Sequence, residues 1–240
     1  MDIYKIRMPE ELLKGNSYVG RGIVLGKTPD GKKAVSAYFI MGRSANSRNR
    51  VFSLEEGTLY TKPFDESKVE DPSLIIYAAV RKHENRLIVT NGDQTDTIYD
   101  GLVSGKSFGE ALTTREFEPD APNFTPRISG MMTFADKDVS YDMSILKSAD
   151  AEGTACNRYL FSYPSIAGLG HFLHTYVCDG NPIPTFQGEP ERMCMNDDID
   201  GFTKGLWENL DEDNKISLYV RYTDLETGEV TERLLNKNEA

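Results

Sequence analysis

The sequence predicts an α+β protein built on antiparallel β-sheets, two of them stacked, with helices on the outer faces. Two observations carry this. Short runs rich in Val, Ile, Leu, Tyr and Phe recur along most of the chain, separated by Gly, Pro, Asn and Asp turn chemistry. Only two segments show the three- and four-residue spacing of an amphipathic helix. A plain two-sheet sandwich is the alternative that the same pattern allows.

Taken in order, residues Tyr18 to Gly26 alternate into an apolar run, Thr28-Pro29-Asp30-Gly31 supplies a turn, and Ala34 to Met41 returns as a second strand. A polar loop follows from Gly42 to Arg50. Leu74 to Val80 and Leu87 to Thr90 flank a turn at Lys82-His83-Glu84-Asn85. Asp93 to Leu102 carries Thr95, Ile98, Tyr99 and Leu102 at helical spacing, with Asp93 as N-cap. Strands are expected at Ile128 to Phe134, Val139 to Leu146, Tyr159 to Tyr163 and Phe172 to Val177. The second helix is Asp197 to Leu210, with Ile199, Phe202, Leu206 and Leu210 on one face. Lys215 to Tyr222 and Glu229 to Leu235 form a hairpin around Thr227-Gly228. With no repeat, low-complexity tract or linker, residues 17–240 are expected to form one domain behind an N-terminal extension, residues 1–16.

Composition narrows the function classes. A chain of 240 residues with 39% hydrophobic content can bury a sizeable core. Its formal net charge of −11 gives it no electrostatic reason to bind nucleic acid or an anionic membrane surface. A phosphorylated small molecule needs only a local cluster of Arg or Lys. Cys156, Cys178 and Cys194 are too few and irregular for a disulfide framework or a zinc site, and read as free thiols in a reducing compartment. Residues 1–16 lack the apolar stretch of a signal peptide, and no run approaches the ~20 residues that span a bilayer. A soluble, cytoplasmic protein is expected.

Three segments concentrate chemistry. Gly42 to Arg50 places Arg43, Arg48 and Arg50 among Ser44 and Asn49, a donor set suited to a phosphate; a solvated basic loop is the competing reading. Asn91-Gly92-Asp93-Gln94-Thr95-Asp96-Thr97 ends a strand and opens a helix, where backbone N–H groups meet anions or polar substrates. Ordinary capping explains about half of those residues but not the crowding of Asn, Gln, Thr and Asp. Glu116 to Asp120 precedes Asn123-Phe124-Thr125-Pro126-Arg127, so Glu118 is either a general acid or base or an ion-pair partner. Tyr77, in an apolar run, reads by default as a core aromatic. His171 and His174 lack a carboxylate pattern for metal, and neither a dinucleotide fingerprint nor a P-loop is present.

Together these segments resemble the archaeal-type inosine monophosphate (IMP) cyclohydrolase family, PurO-like proteins. The likeness begins at Tyr18-Val19-Gly20-Arg21-Gly22-Ile23 and continues through Tyr38, Arg43-Ser44, Asn49-Arg50 and the strand with Tyr77. It is strongest at Asn91-Gly92-x-x-Thr95-Asp96-Thr97-Ile98 and at Asn123 with Thr125-Pro126-Arg127-Ile128. It covers roughly residues 18 to 145. Membership implies a four-layer αββα sandwich like that of N-terminal-nucleophile hydrolases, without the terminal nucleophile. It also implies closure of 5-formamidoimidazole-4-carboxamide ribotide to IMP with loss of water, with no metal or redox cofactor.

By the same resemblance Tyr77 and Glu118 are the proton-transfer residues. Arg43, Arg50 and Arg127 bind the 5′-phosphate or polarise the formyl oxygen. Asn91, Thr95 and Asp96 hold the ribose or base, with Arg21, Ser44, Asn49, Gly92, Gln94, Asn123 and Thr125 completing the binding set. Departures are Gln94 where relatives carry His, an Arg loop longer by about two residues, the N-terminal extension, and a larger C-terminal third. A related amidase or a non-catalytic nucleotide sensor are the other function classes, and a homo-oligomer is an open expectation.

Overall fold

A computed structural model describes residues 2–69 and 76–238. In chain order the elements are α1 (Pro9–Leu13), β1 (Arg21–Lys27), β2 (Lys33–Met41), α2 (Ala45–Arg48), β3 (Val51–Glu55), β4 (Thr58–Lys62) and a 3₁₀ turn (Glu66–Lys68). There follow β5 (Tyr77–His83), β6 (Arg86–Thr90), α3 (Gln94–Val103), α4 (Phe108–Leu112), β7 (Arg127–Ala135), β8 (Asp138–Ser148) and β9 (Cys156–Pro164). The last are β10 (Leu169–His174), β11 (Glu191–Cys194), α5 (Ile199–Trp207), β12 (Lys215–Asp224) and β13 (Val230–Asn236).

The strands form two antiparallel sheets, one of six strands in the order β11-β10-β1-β2-β12-β13 and one of seven in the order β3-β4-β5-β6-β7-β8-β9. Their facing sides share one apolar core. Ile23, Leu25, Tyr38 and Ile40 of the first sheet meet Ala79, Val89, Ile128, Tyr141, Met143 and Ile145 of the second. The outer side of the six-stranded sheet is covered by α1 and α5, through Leu12, Leu13, Phe202 and Leu206 on Val24, Phe39 and Val220. The outer side of the other is covered by α3 and α4, through Ile98, Leu102, Phe108 and Leu112 on Ile88, Met131 and Leu146. Two stacked sheets with helices outside were the sequence expectation, and the layering agrees.

Double coverage explains why central strands read as near-continuous apolar runs. Seven of the nine residues in Lys33–Met41 are hydrophobic and eight are buried, because both of its faces are packed. Edge strand β9 alternates and is mostly exposed. The predicted helix Asp197 to Leu210 is shorter at both ends; Asp198 caps it, accepting from the N–H groups of Asp200 (3.1 Å) and Gly201 (3.0 Å). The expected loop Gly42 to Arg50 contains α2, started by Ser44, whose side chain accepts from Ser47 N–H. The expected strand from Leu74 begins at Tyr77; Ile76 is exposed ahead of it, and Leu74 and Ile75 lie outside the described residues. Sequence reading passed over the β3–β4 hairpin, whose Glu56-Gly57 turn has φ of 48° and 78°. It also passed over α4, although Ser107 and Glu110 make a capping box there.

Close approach of β1 and β10 depends on Gly26. A Cβ at that position would stand 2.6 Å from the Gly170 Cα and 2.8 Å from the Leu169 carbonyl oxygen, both main chain that cannot swing aside. Gly26→Ala should therefore lower stability by roughly 1–3 kcal/mol, read from the urea midpoint of unfolding.

Candidate active site

Because every neighbouring strand pair is antiparallel, the starts of β1, β5 and β7 meet the ends of β2, β6 and β10 at one end of the sandwich. The side chains of Tyr38 and Tyr77 face each other there across the gap between the sheets, hydroxyl to hydroxyl at 2.8 Å. Arg21 opens β1 on the same inner face, its Cα paired with the inward-facing Ile40. Arg50 enters from just before β3. Glu118, in the α4–β7 connection, completes the group.

Electrostatics distinguish these residues. Arg50 is 6% exposed, its guanidinium makes no hydrogen bond to any described residue, and its Nε is buried without a partner. Burial and the neighbouring Arg21 cation hold it below the usual arginine range. Arg21 is also buried, and its guanidinium makes one hydrogen bond among the described residues, to the Tyr18 hydroxyl at 3.4 Å. Burial opposes its charge, but Tyr18, Tyr77, Tyr38 and Glu118 outweigh that opposition and raise it. The Glu118 carboxylate has neither a hydrogen bond nor an ion pair to a described residue. It keeps some solvent contact, yet burial dominates its titration, as for a group lining a recess. The result is a pKa above the ordinary value, with Arg21, Arg127 and Arg50 pulling it back and Asp120 adding to the rise. Burial likewise pushes the Tyr38 hydroxyl well up.

The expected Asn91 to Thr97 segment is mostly a scaffold. Asn91 Oδ1 accepts from Ile128 N–H and from Gln94 Nε2, both at 2.9 Å, while its Nδ2 donates to the Pro126 carbonyl at 2.9 Å. It thus ties the end of β6 to the start of β7. Thr95 is buried and shares a 2.6 Å bond with Thr90. Asp93 stands at the N-cap of α3 as expected, but its side chain makes no capping hydrogen bond. Its carboxylate instead accepts from Arg127 Nη1 at 2.7 Å and from Arg115. Those partners, Arg115 first, overcome burial and hold Asp93 below the usual carboxylate value.

Arg127 also donates to Gln94 Oε1 at 2.9 Å, so it reaches the Glu118 group as a paired cation. Gly92 is needed beside them, since a Cβ there would lie 2.6 Å from Arg127 Nη1, 2.7 Å from Gln94 Oε1 and 3.6 Å from Glu118 Oε1. Asp96 is set apart; it is exposed and pairs with Arg81 at 2.7 Å.

The remaining expected residues divide similarly. Asn49 clips a loop, exchanging hydrogen bonds with the Asp65 main chain at 2.7 and 2.8 Å. Ser44 caps α2. Arg43 lies over the Tyr18 ring at 5.2 Å and pairs with Asp179. Asn123 Oδ1 accepts from Ile183 N–H at 3.2 Å. Thr125 is buried, bonded through Oγ1 to the Tyr176 hydroxyl at 2.6 Å and through N–H to Asp120 at 2.6 Å. Tyr176 and Tyr18, whose rings stack at 5.7 Å, were not singled out for the site, and nothing local in the sequence marks Tyr176. Tyr38 is the other addition, its signal being one hydroxyl in an otherwise apolar central strand. His171 and His174 serve elsewhere: His171 Nδ1 bonds the Tyr141 hydroxyl at 2.8 Å and burial lowers its pKa to about 4. Among the described residues no metal-binding group of His, Cys, Asp and Glu forms, and no helix is long and apolar enough to cross a membrane.

The fold and this cluster define a two-sheet α+β protein with a buried arginine that has no partner among the described residues beside a carboxylate of raised pKa, a class suited to small anionic substrates. The family model described as IMP cyclohydrolase-like protein matches residues 18–228, and the chain belongs to that family. The IMP cyclohydrolase of Methanopyrus kandleri is 36% identical over 116 residues, spanning 47% of this chain and 57% of that protein. That of Methanococcus aeolicus is 30% identical over 186 residues, spanning 74% and 85%. That of Methanococcus maripaludis is 35% identical over 129 residues, spanning 52% and 61%. For two of these three relatives, the matched region is therefore less than two thirds of their length.

A buried cation without a counter-ion among the described residues destabilises the unliganded protein. Arg50→Met should stabilise the unliganded protein by about 1–3 kcal/mol while removing protection by a bound nucleotide. Thermal melts with and without IMP read both effects.

Proposed function

We propose that this protein is an IMP cyclohydrolase, closing 5-formamidoimidazole-4-carboxamide ribotide to IMP with loss of water in de novo purine biosynthesis. The observation that carries this reading is the buried, unbonded Arg50 guanidinium within electrostatic reach of Tyr77 and the unpaired Glu118. Family membership and the names of the relatives support it. The helix–sheet–sheet–helix layering also fits an N-terminal-nucleophile-hydrolase-like fold, and we take residues 17–240 as one domain with a cytoplasmic role.

Ring closure requires the carboxamide nitrogen to attack the formyl carbon, forming a C–N bond while charge builds on the formyl oxygen. Arg50, with Arg21 behind it, meets that oxygen; both are already desolvated, so little reorganisation accompanies the reaction. Tyr77 donates to the same oxygen. Its hydroxyl is fixed by Tyr38, which gives the recess a bonded donor at a defined position. Glu118 takes the proton from the attacking nitrogen and delivers it to the formyl oxygen, which becomes a hydroxyl. That hydroxyl then departs as water with the proton released from the formamido nitrogen as the ring C=N double bond forms. The raised pKa of Glu118 suits both directions of transfer near neutral pH. The reaction is intramolecular, so holding the carboxamide and formyl groups face to face supplies a large share of the acceleration. Arg43 at the mouth takes the 5′-phosphate in exchange for Asp179, and the Asn91–Gln94–Arg127 scaffold fixes the wall against which the base lies.

The ultraviolet change on conversion of the formamido ribotide to IMP tests this directly. Tyr77→Phe and Glu118→Gln should each lower kcat by about 10²–10⁴-fold. Tight nucleotide binding without turnover by the unaltered protein would instead mark a sensor, and neither binding nor turnover would point to a related amidase.

The pH profile carries a second test. Glu118 must be ionised to accept the proton, and its pKa lies above the ordinary carboxylate value. The acid limb of kcat/KM should therefore fall at a pH above the usual glutamate range and vanish in Glu118→Gln. For stability the sign is opposite. A carboxyl whose folded pKa is raised favours folding when protonated, and that contribution is lost as pH rises through the folded value.

A further inference from the structure

We infer that β9 is a self-association edge, on which a second copy of this chain adds its own β9 antiparallel to extend the seven-stranded sheet across a two-fold axis. The two sheets end in four edge strands, and three are visibly blunted. Strand β11 is covered by the N-terminal segment, with Arg7 N–H on the Arg192 carbonyl at 3.0 Å and Cys194 N–H on the Arg7 carbonyl at 2.8 Å. On β3, both main-chain groups of Phe52 are occupied by the Asn236 side chain, at 2.8 and 3.0 Å. That contact joins the end of β13 to β3, and β13 carries Glu232 and Arg233. Such covering and charge are the usual protections against edge-to-edge pairing.

Strand β9 is covered by no other strand among the described residues; its one charged side chain is Arg158, and Pro164 stands only at its end. All nine residues pair with β8 and with no other described strand. Its sequence, Cys156-Asn157-Arg158-Tyr159-Leu160-Phe161-Ser162-Tyr163-Pro164, contains no acidic residue, although the chain carries a net charge of −11. Tyr159 and Leu160 are 43% and 55% exposed.

The strand is also self-complementary. With the two-fold at Leu160, antiparallel pairing sets Leu160 against its own copy, Tyr159 against Phe161, and Arg158 against Ser162. Leu160, Ser162 and Arg158 share the outer face, opposite Ser144, Asp142 and Leu146 of β8. Asp142 accepts from Ser162 Oγ and has no cationic partner among the described residues. Arg158 of the second copy would stand two strand spacings from Asp142, roughly 10 Å between Cα atoms, which the two side chains can span. Arg158 is now held by the Arg115 carbonyl at 2.9 Å and lies 3.6 Å from Glu116, so it remains a half-exposed cation able to turn outward. The symmetry makes two Arg158–Asp142 pairs, one on each side of the Leu160 contact. Opposite charges therefore meet across the axis where an acidic protein would otherwise repel itself.

Sedimentation velocity from about 1 to 100 µM tests the assignment, the range expected for a small interface. The unaltered protein should dimerise within it. Arg158→Asp and Asp142→Arg should each weaken the dimer about tenfold or more by setting like charges together, and the two combined should restore it. Hydrogen exchange on the unaltered protein gives a reading independent of any variant: alternate β9 amides should be protected at high concentration and exchange when diluted. A protein that stays monomeric throughout, or a dimer that tolerates both single changes and shows no concentration-dependent protection in β9, would overturn the proposal.

Discussion

Two guanidinium groups, those of Arg21 and Arg50, are buried together at one end of the gap between the sheets, and neither forms an ion pair with a carboxylate of the described residues. Placing like charges in a poorly solvated gap is costly, and only a rigid surround sustains it. That surround is the inter-sheet core below, with fully buried Ile23, Tyr38, Phe52 and Ile128, and long ladders on both sides. The same field shapes its neighbours. Glu118 would be pushed further above its ordinary range by burial were the arginines absent, and Arg50 is lowered partly because Arg21 is there. The cluster is thus tuned by the coupling of Arg21, Arg50 and Glu118, with Arg50 the cation left below its ordinary range.

Above this pocket lies a second tier in which nearly every polar group is bonded. Asn91, Gln94, Asp93 and Arg127 join the end of β6, the start of α3 and the start of β7 into one unit. Asp120, Thr125 and Tyr176 hold the α4–β7 connection to the segment after β10, and Glu118 N–H bonds the Thr125 carbonyl at 2.9 Å. The satisfied tier holds elements together, while the other leaves the side chains of Arg50 and Glu118 without hydrogen-bonding partners among the described residues. Sequence clusters of Asn, Gln, Thr and Asp belong to the first kind, although their crowding invites a direct substrate role. Asp96 shows how far such an inference can miss, because one residue's difference along α3 turns its carboxylate outward to Arg81.

Much of the architecture was legible in the residues. The hydrophobic runs of β1, β2 and β7 and the faces of α3 and α5 follow from burial on both sides of each sheet. The short hairpin β3–β4 and the five-residue helix α4 were not, since their few apolar positions become informative only once something packs on them. Arg50 and Glu118 were singled out from their segments, Arg21 and Tyr77 only through the family resemblance. Their assembly was not readable, because it joins positions separated by up to 97 residues, an interval set by how antiparallel strands close on each other.

What the sequence determined by itself was therefore local. It specified the strand and helix periods, the turn residues, the acidic balance that excludes nucleic acid, and the residue types that carry the family likeness. Tertiary structure decided which polar groups are satisfied and which are left open. Arg127 and Arg50 look alike in the chain, yet one is neutralised by Asp93 and hydrogen-bonded to Gln94, and the other lies beside Arg21 without a partner among the described residues. Charge compensation depends on distances between side chains brought together only when two sheets stack, and no spacing along the chain encodes it.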